Sequence, residues 1–167
     1  MTIHARTGLW FDELMVGDIY RHLPGRTVTE ADHILFSTLS INRHSLHYDA
    51  VYAAGTEFGR SLVNSMFTLA LVVGIGVADM TEGTSIANLG FERVSFENPV
   101  FVGDTLYAET EIASRRPSRS RPRTGVVTFV HRGRNERNET VCTATRAALV
   151  RCRDVTAGKG SEHSAAA

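Results

Sequence analysis

The chain reads as an α+β domain in which an antiparallel sheet wraps around a long central helix. Three observations predict this. Helical patterns are confined to the first half of the chain, and four strand patterns follow one another in the second half. Between them, residues 65–78 are apolar on every side. A chain of 167 residues is long enough for one domain with a sizeable core and too short for two ordinary ones. The 43% hydrophobic and 22% charged composition is that of a soluble globular protein.

The elements follow in order. Leu9, Trp10 and Phe11 form an apolar entry, Val16-Gly17-Asp18 a turn, and Ile19-Tyr20 a short strand punctuated by Pro24-Gly25. A helix then begins with Thr29 as N-cap and with Glu30 and Asp32 at its positive end. Ala31, Leu35 and Leu39 recur every fourth residue, with Ile34 and Phe36 beside them, and mark the expected buried face. The helix ends near Ser40. Residues 49–54 read as a short helix closed by Gly55, and a loop runs on to Gly59-Arg60. The apolar segment 65–78 is expected to be a helix buried all round. It is too short and too interrupted by glycine for a membrane span, which needs roughly 20 apolar residues.

The strands are expected at 85–96, with a kink near Gly90, and at 105–114, 125–132 and 140–153. In the second, Leu106, Ala108, Thr110 and Ile112 face one way and Tyr107, Glu109 and Glu111 the other. The polar run 133–139 joins the last two as a hairpin. One domain over 1–153 results, with a small, polar tail at 154–167 expected to be disordered.

Net charge is zero, so no global field favours nucleic acid or an anionic membrane. Lys159 is the only lysine, which leaves the positive charge to arginine, a bidentate binder of phosphate. Cys142 and Cys152 lie ten residues apart on one expected strand, too far to bridge. Residues 1–8 lack the apolar core of a secretion signal, and a cytoplasmic protein is expected.

The segment Leu39-Ser40-Ile41-Asn42-Arg43-His44-Ser45-Leu46-His47-Tyr48-Asp49 resembles the active-site loop of MaoC-type hydratases, whose usual core is Gly-Asp-x-Asn-Pro-Leu-His. Pro99-Val100-Phe101-Val102-Gly103-Asp104-Thr105-Leu106 is similar to the Pro-Val-x-x-Gly-Asp-Thr-Leu turn before a sheet strand in the same family. With the start of the 65–78 helix, the resemblance covers roughly residues 9–153. It implies a hotdog fold, a homodimer or higher oligomer, and a lyase that adds water to, or removes it from, an α,β-unsaturated acyl thioester of coenzyme A or a carrier protein. No cofactor is implied.

The family's catalytic histidine falls on His47, and imidazole titrates close to neutral pH. Its catalytic aspartate falls on Asn42, because Ile41-Asn42 stands where Gly-Asp is usual. A carboxamide takes up no proton near neutrality, but it can orient a water. Either His47 then carries all the proton transfer or another carboxylate substitutes, with Asp32, Asp49 and Glu57 as local candidates. Asn42 also suits a turn on structural grounds alone. By the resemblance, the backbone N–H groups at Asn64, Ser65 and Met66 face the thioester oxygen, although Asn64 and Ser65 are also ordinary cap residues.

Arg43 and His44 make the loop more cationic than the family's. That suits a branched or carboxylated acyl group of the mesaconyl or itaconyl kind. His44 and His47 form no convincing metal pair, since no third ligand is suitably spaced. Arg119, Arg121 and Arg123 in the arginine-rich run 115–123, and Arg60, are candidates for coenzyme A phosphates. The alternative for the run is a solvated hairpin tip. Two other functions stay open: a non-catalytic acyl-thioester binder or inactive partner of a hydratase, which Asn42 favours, and a hotdog thioesterase built on Glu57.

Overall fold

The structure, a computed structural model, describes residues 8–153. The expected tail and most of the N-terminal segment lie outside the described residues.

A short 3-10 turn at Phe11–Glu13 leads into β1 (Ile19–Thr27) and α1 (Glu30–Leu39). Two single-turn helices follow, α2 (Ser45–Tyr48) and α3 (Ala50–Ala54), and then α4 (Ser65–Ile75) and α5 (Val77–Met80). The strands β2 (Ser85–Ser95), β3 (Thr105–Pro117), β4 (Thr124–Arg134) and β5 (Thr140–Arg151) complete the described chain. All pairings are antiparallel, in the order β1-β3-β4-β5-β2. The α+β architecture read from the sequence is the one observed.

Three expectations need correction. First, β1 does not stop before Pro24 but runs to Thr27. Its register against β3 shifts between His22 and Arg26, so Pro24-Gly25 sits in a bulge of an edge strand, where a missing N–H disrupts little.

Second, α1 presents the other face to the core. His33 and Ser37 are buried, whereas Leu35 is 58% and Leu39 73% exposed. On the inward row, His33 bonds the loop that follows through its side chain and Ser37 through its backbone carbonyl.

Third, α4 is not buried all round. Thr68, Leu69 and Val72 face the sheet, but Met66, Ala70 and Gly74 are exposed. Among the described residues the helix packs on β1, β3, β4 and β5 rather than on β2. Where it does pack, it sits close: a Cβ at Gly133 would collide with the Val72 side chain.

The core forms two clusters on the inner face of the sheet. One gathers Val63, Leu69, Val72, Leu106 and Ala144 around α4. The other gathers Phe11, Met80, Ile112, Phe129 and Ala148 beyond its C-terminal end. Cys142 is buried and free, and burial pushes its thiol up to about 11.

Candidate active site

The loop 39–49 is shaped by its own hydrogen bonds. After the C-cap Ser40, Ile41 takes φ +55°, a left-handed conformation that β-branched residues rarely adopt. The chain reverses there, and the Asn42 N–H returns to the Ser37 carbonyl at 3.0 Å. Asn42 Oδ1 accepts the His44 N–H at 3.2 Å, an Asx turn. His44 Nδ1 in turn accepts the Leu46 N–H at 3.1 Å and caps α2.

α2 delivers His47, which is buried and held at both ends. Its Nδ1 lies 2.6 Å from the Leu62 carbonyl oxygen. A carbonyl only accepts, so Nδ1 carries the proton, and in the neutral ring Nε2 keeps its lone pair. The backbone oxygen of His47 accepts the Nε2–H of His33 at 2.7 Å. The rings of His33 and His44 each stand edge-on to that of His47, with centroids 6.0 Å away.

The start of α4 is tied to this loop. Leu62 N–H bonds the Leu46 carbonyl at 3.2 Å, and Val63 N–H bonds the Val100 carbonyl at 2.9 Å. Asn64 is buried and caps α4, its Oδ1 accepting the Met66 N–H at 2.9 Å. Met66 is therefore a poor donor to any ligand. Among the described residues the N–H groups of Ser65 and Phe67 have no partner, and they lie at the positive end of the helix. A cleft of about 250 Å³ opens here, lined among others by Leu62, Ser65, Thr68, Glu97, Asn98 and Val141.

The candidate substitute carboxylates are mostly engaged elsewhere. Asp32 chelates Arg26 at 3.0 and 2.7 Å and closes a reciprocal cap with Thr29, and that guanidinium holds its carboxyl well below the usual range. Asp49 caps α3 through the Val51 and Tyr52 N–H groups. Glu57 is exposed and takes no hydrogen bond among the described residues.

Arg43 is exposed on the loop. Arg60, two residues before Leu62, stacks on the Phe101 ring at 3.8 Å. Arg119, Arg121 and Arg123 are exposed between β3 and β4, at the end of β3 remote from the Val100–Asp104 turn that adjoins α4. Within one protomer the fold does not bring them to His47. Arg115 is drawn away from that run and donates to the carbonyls of Phe11 and Leu14. Among the described residues no three His, Cys, Asp or Glu side chains are grouped to hold a metal, and no helix is long and apolar enough to cross a membrane.

His33, the Leu62 carbonyl, Phe67 and Glu97 escape the sequence reading. Only His33 leaves a trace there: with Ser37 it makes a polar pair one turn apart on a helix whose apolar rows already looked complete.

A family model described as "MaoC like domain" matches residues 13–146. The mesaconyl-CoA hydratase of Cereibacter sphaeroides is 31% identical over 153 residues, 92% of this chain and 44% of that protein. The beta-methylmalyl-CoA dehydratase of Chloroflexus aurantiacus is 31% identical over 155 residues, 92% of this chain and 43% of that protein. The chain thus spans less than half the length of these relatives. The structure of a MaoC domain protein from Chloroflexus aurantiacus superposes with a TM-score of 0.84 at 29% identity, covering 92% of this chain and 43% of that one. A Mycobacterium tuberculosis protein with a double hotdog fold superposes at 0.76 and 22% identity, over 95% of this chain and 52% of that one, a likeness of fold alone. The fold is the hotdog, and the chain belongs to the MaoC-like dehydratase domain family.

Proposed function

We propose that the protein is a hydratase/dehydratase acting on an α,β-unsaturated acyl thioester. One observation carries this reading: His47 is buried with Nδ1–H fixed on the carbonyl of Leu62, three residues before α4, and its Nε2 has no hydrogen-bond partner among the described residues. In the hydration direction, Nε2 takes a proton from water as the oxygen adds to the β-carbon. The resulting imidazolium returns a proton to the α-carbon. Charge building on the thioester oxygen is met by the Ser65 and Phe67 N–H groups and the helix dipole. Asn42 keeps its Oδ1 on the loop, so its amide Nδ2–H₂ is the part left to hold the water.

The relatives named for mesaconyl-CoA and beta-methylmalyl-CoA support a short, branched, carboxylated acyl group, and the cationic Arg43 and His44 accord with it. Arg60 on Phe101 is the phosphate contact nearest the site. The hairpin arginines would reach a ligand only from a second copy of the chain. The exposed side of α4 and the unpaired edge of β2, with Leu89 and Phe91 exposed, favour a homodimer.

A second reading, a thioester binder without turnover, is favoured by the Asx turn, which gives Asn42 a structural task. Mass spectrometry of the protein with straight-chain, branched and carboxylated enoyl-CoA thioesters separates the two. Gain of one water, lost in His47→Ala and raised in Asn42→Asp, is the expected result. Binding without any mass change establishes the binder, and free acid with released thiol establishes a thioesterase.

A further inference from the structure

Arg146 stands on the inner face of the sheet, 7% exposed, with Ala144 and Ala148 as its neighbours on that face of β5. The Phe129 ring lies 5.3 Å from its guanidinium carbon, and Phe91 is its partner across β2. Among the described residues its only hydrogen bond is Nε–H to His131 Nε2 at 2.8 Å, and no carboxylate pairs with it. Burying a lone guanidinium is costly, and such groups are normally neutralised by a counter-charge.

The group behind Arg146 supplies none. Because His131 Nε2 accepts, His131 is neutral and its Nδ1–H donates to Thr110 Oγ1 at 2.9 Å. Burial, helped by Arg146, holds the His131 pKa down to about 3. Thr110 Oγ1 lies 2.9 Å from His22 Nε2, and His22 Nδ1 lies 3.3 Å from Asp79. His131, Thr110 and His22 form a hydrogen-bonded chain that grips Nε and ends at the half-exposed carboxylate of Asp79. The two terminal amino groups of Arg146 take no bond from any described residue.

Neither is among the fully buried side-chain atoms that lack a partner, so solvent reaches both. Among the described residues α4 packs on β1, β3, β4 and β5 rather than on β2, and Phe91, across from Arg146, is 40% exposed. Ala144 belongs to the cluster that contains Val63 and Leu69 at the start of α4. Arg146 is the next side chain on the same face, about 7 Å further along the strand.

We propose that Arg146 is the receptor for a carboxylate on the acyl chain of the ligand, taken end-on by its two terminal amino groups. The inference rests on the acyl-thioester reading above and adds the residue that selects a dicarboxylic acyl group. His131 is a positioning residue that fixes the guanidinium plane.

The test uses two saturated thioesters that cannot be hydrated. Methylsuccinyl-CoA carries a distal carboxylate, and 2-methylbutyryl-CoA has a methyl group in its place. Isothermal titration with the full chain is expected to show the carboxylated thioester binding at least about tenfold tighter. In Arg146→Gln that preference falls to about one, and in Arg146→Lys part of it remains. Equal affinities in the unaltered protein overturn the proposal without recourse to any variant. So does a preference that survives in Arg146→Gln. Loss of dimer in Arg146→Gln with the preference intact would assign the guanidinium to a carboxylate of a second copy instead. Absence of hydration of any enoyl thioester, with the preference present, defeats the hydratase reading and leaves the receptor standing.

Discussion

Replacing His33 by leucine separates what holds the loop from what holds the fold. The substitution removes the only described donor to the His47 carbonyl, and a buried acceptor left alone costs about 1–3 kcal/mol. The same substitution removes His33 Nδ1, which is itself buried without a partner, and so relieves a penalty of the same order, about 1–3 kcal/mol. The two terms oppose one another, and leucine fills a site that is only 1% exposed. The expected change in unfolding free energy is therefore within about 1 kcal/mol. Turnover is expected to respond far more. A loop shift of about 1 Å at His47 lowers the rate by roughly 100-fold. His33→Gln supplies an amide N–H near the position of Nε2 and is expected to recover most of that loss. Urea denaturation, with kcat and KM measured on the best thioester of the panel, gives both quantities. A fall of more than about 3 kcal/mol with kcat unchanged would refute the reasoning. Equal rates for the leucine and glutamine variants would refute it too, since packing alone would then account for His33.

Two further outcomes concern stability. The buried His131 keeps its ring neutral down to about pH 3, whereas its ordinary value is 6.5. The unfolded chain therefore binds the extra proton between those values. Stability from this group is complete above about pH 6.5 and is lost toward pH 3, at up to about 1.4 kcal/mol per pH unit. Urea midpoints at about pH 7.5, 6 and 5 are expected to fall along that slope, and less steeply in His131→Gln. Asp32→Asn breaks the chelate with Arg26 and weakens the cap of α1, for a loss of about 1 kcal/mol measured by the same denaturation. A loss that vanished in high salt would assign all of it to the ion pair.

Much of the fold was legible because its signals are local. Thr29 and Asp32 form a reciprocal cap, Asn64 caps α4, and alternation along β3, β4 and β5 marks strands of which one face is buried. The failures are tertiary. Leu35 and Leu39 look like core on hydropathy, yet the His33–Ser37 row faces inward, where the His33 side chain bonds the His47 carbonyl. Pro24 ends a strand by propensity, yet an edge bulge accommodates it. At the site, His47 was marked by its neighbours in sequence. Its partners were not, because His33 lies fourteen residues earlier and Leu62 contributes only a carbonyl. Neither a backbone acceptor nor the loss of Met66 as a donor leaves any mark on residue type.

Ile41 shows how a turn can outlast the residue best suited to it. Holding a branched side chain at φ +55° costs about 1–2 kcal/mol relative to the right-handed region. The bend persists because the bonds on either side of it, Asn42 to Ser37 and His44 to Asn42, close the chain whatever stands at position 41. The information for the bend is thus spread over its flanks, and position 41 is released from carrying it. Its side chain, 73% exposed, can then vary with whatever surface it meets. In this chain the bend stands without the glycine, so a missing glycine at position 41 is weak grounds for inferring a collapsed site.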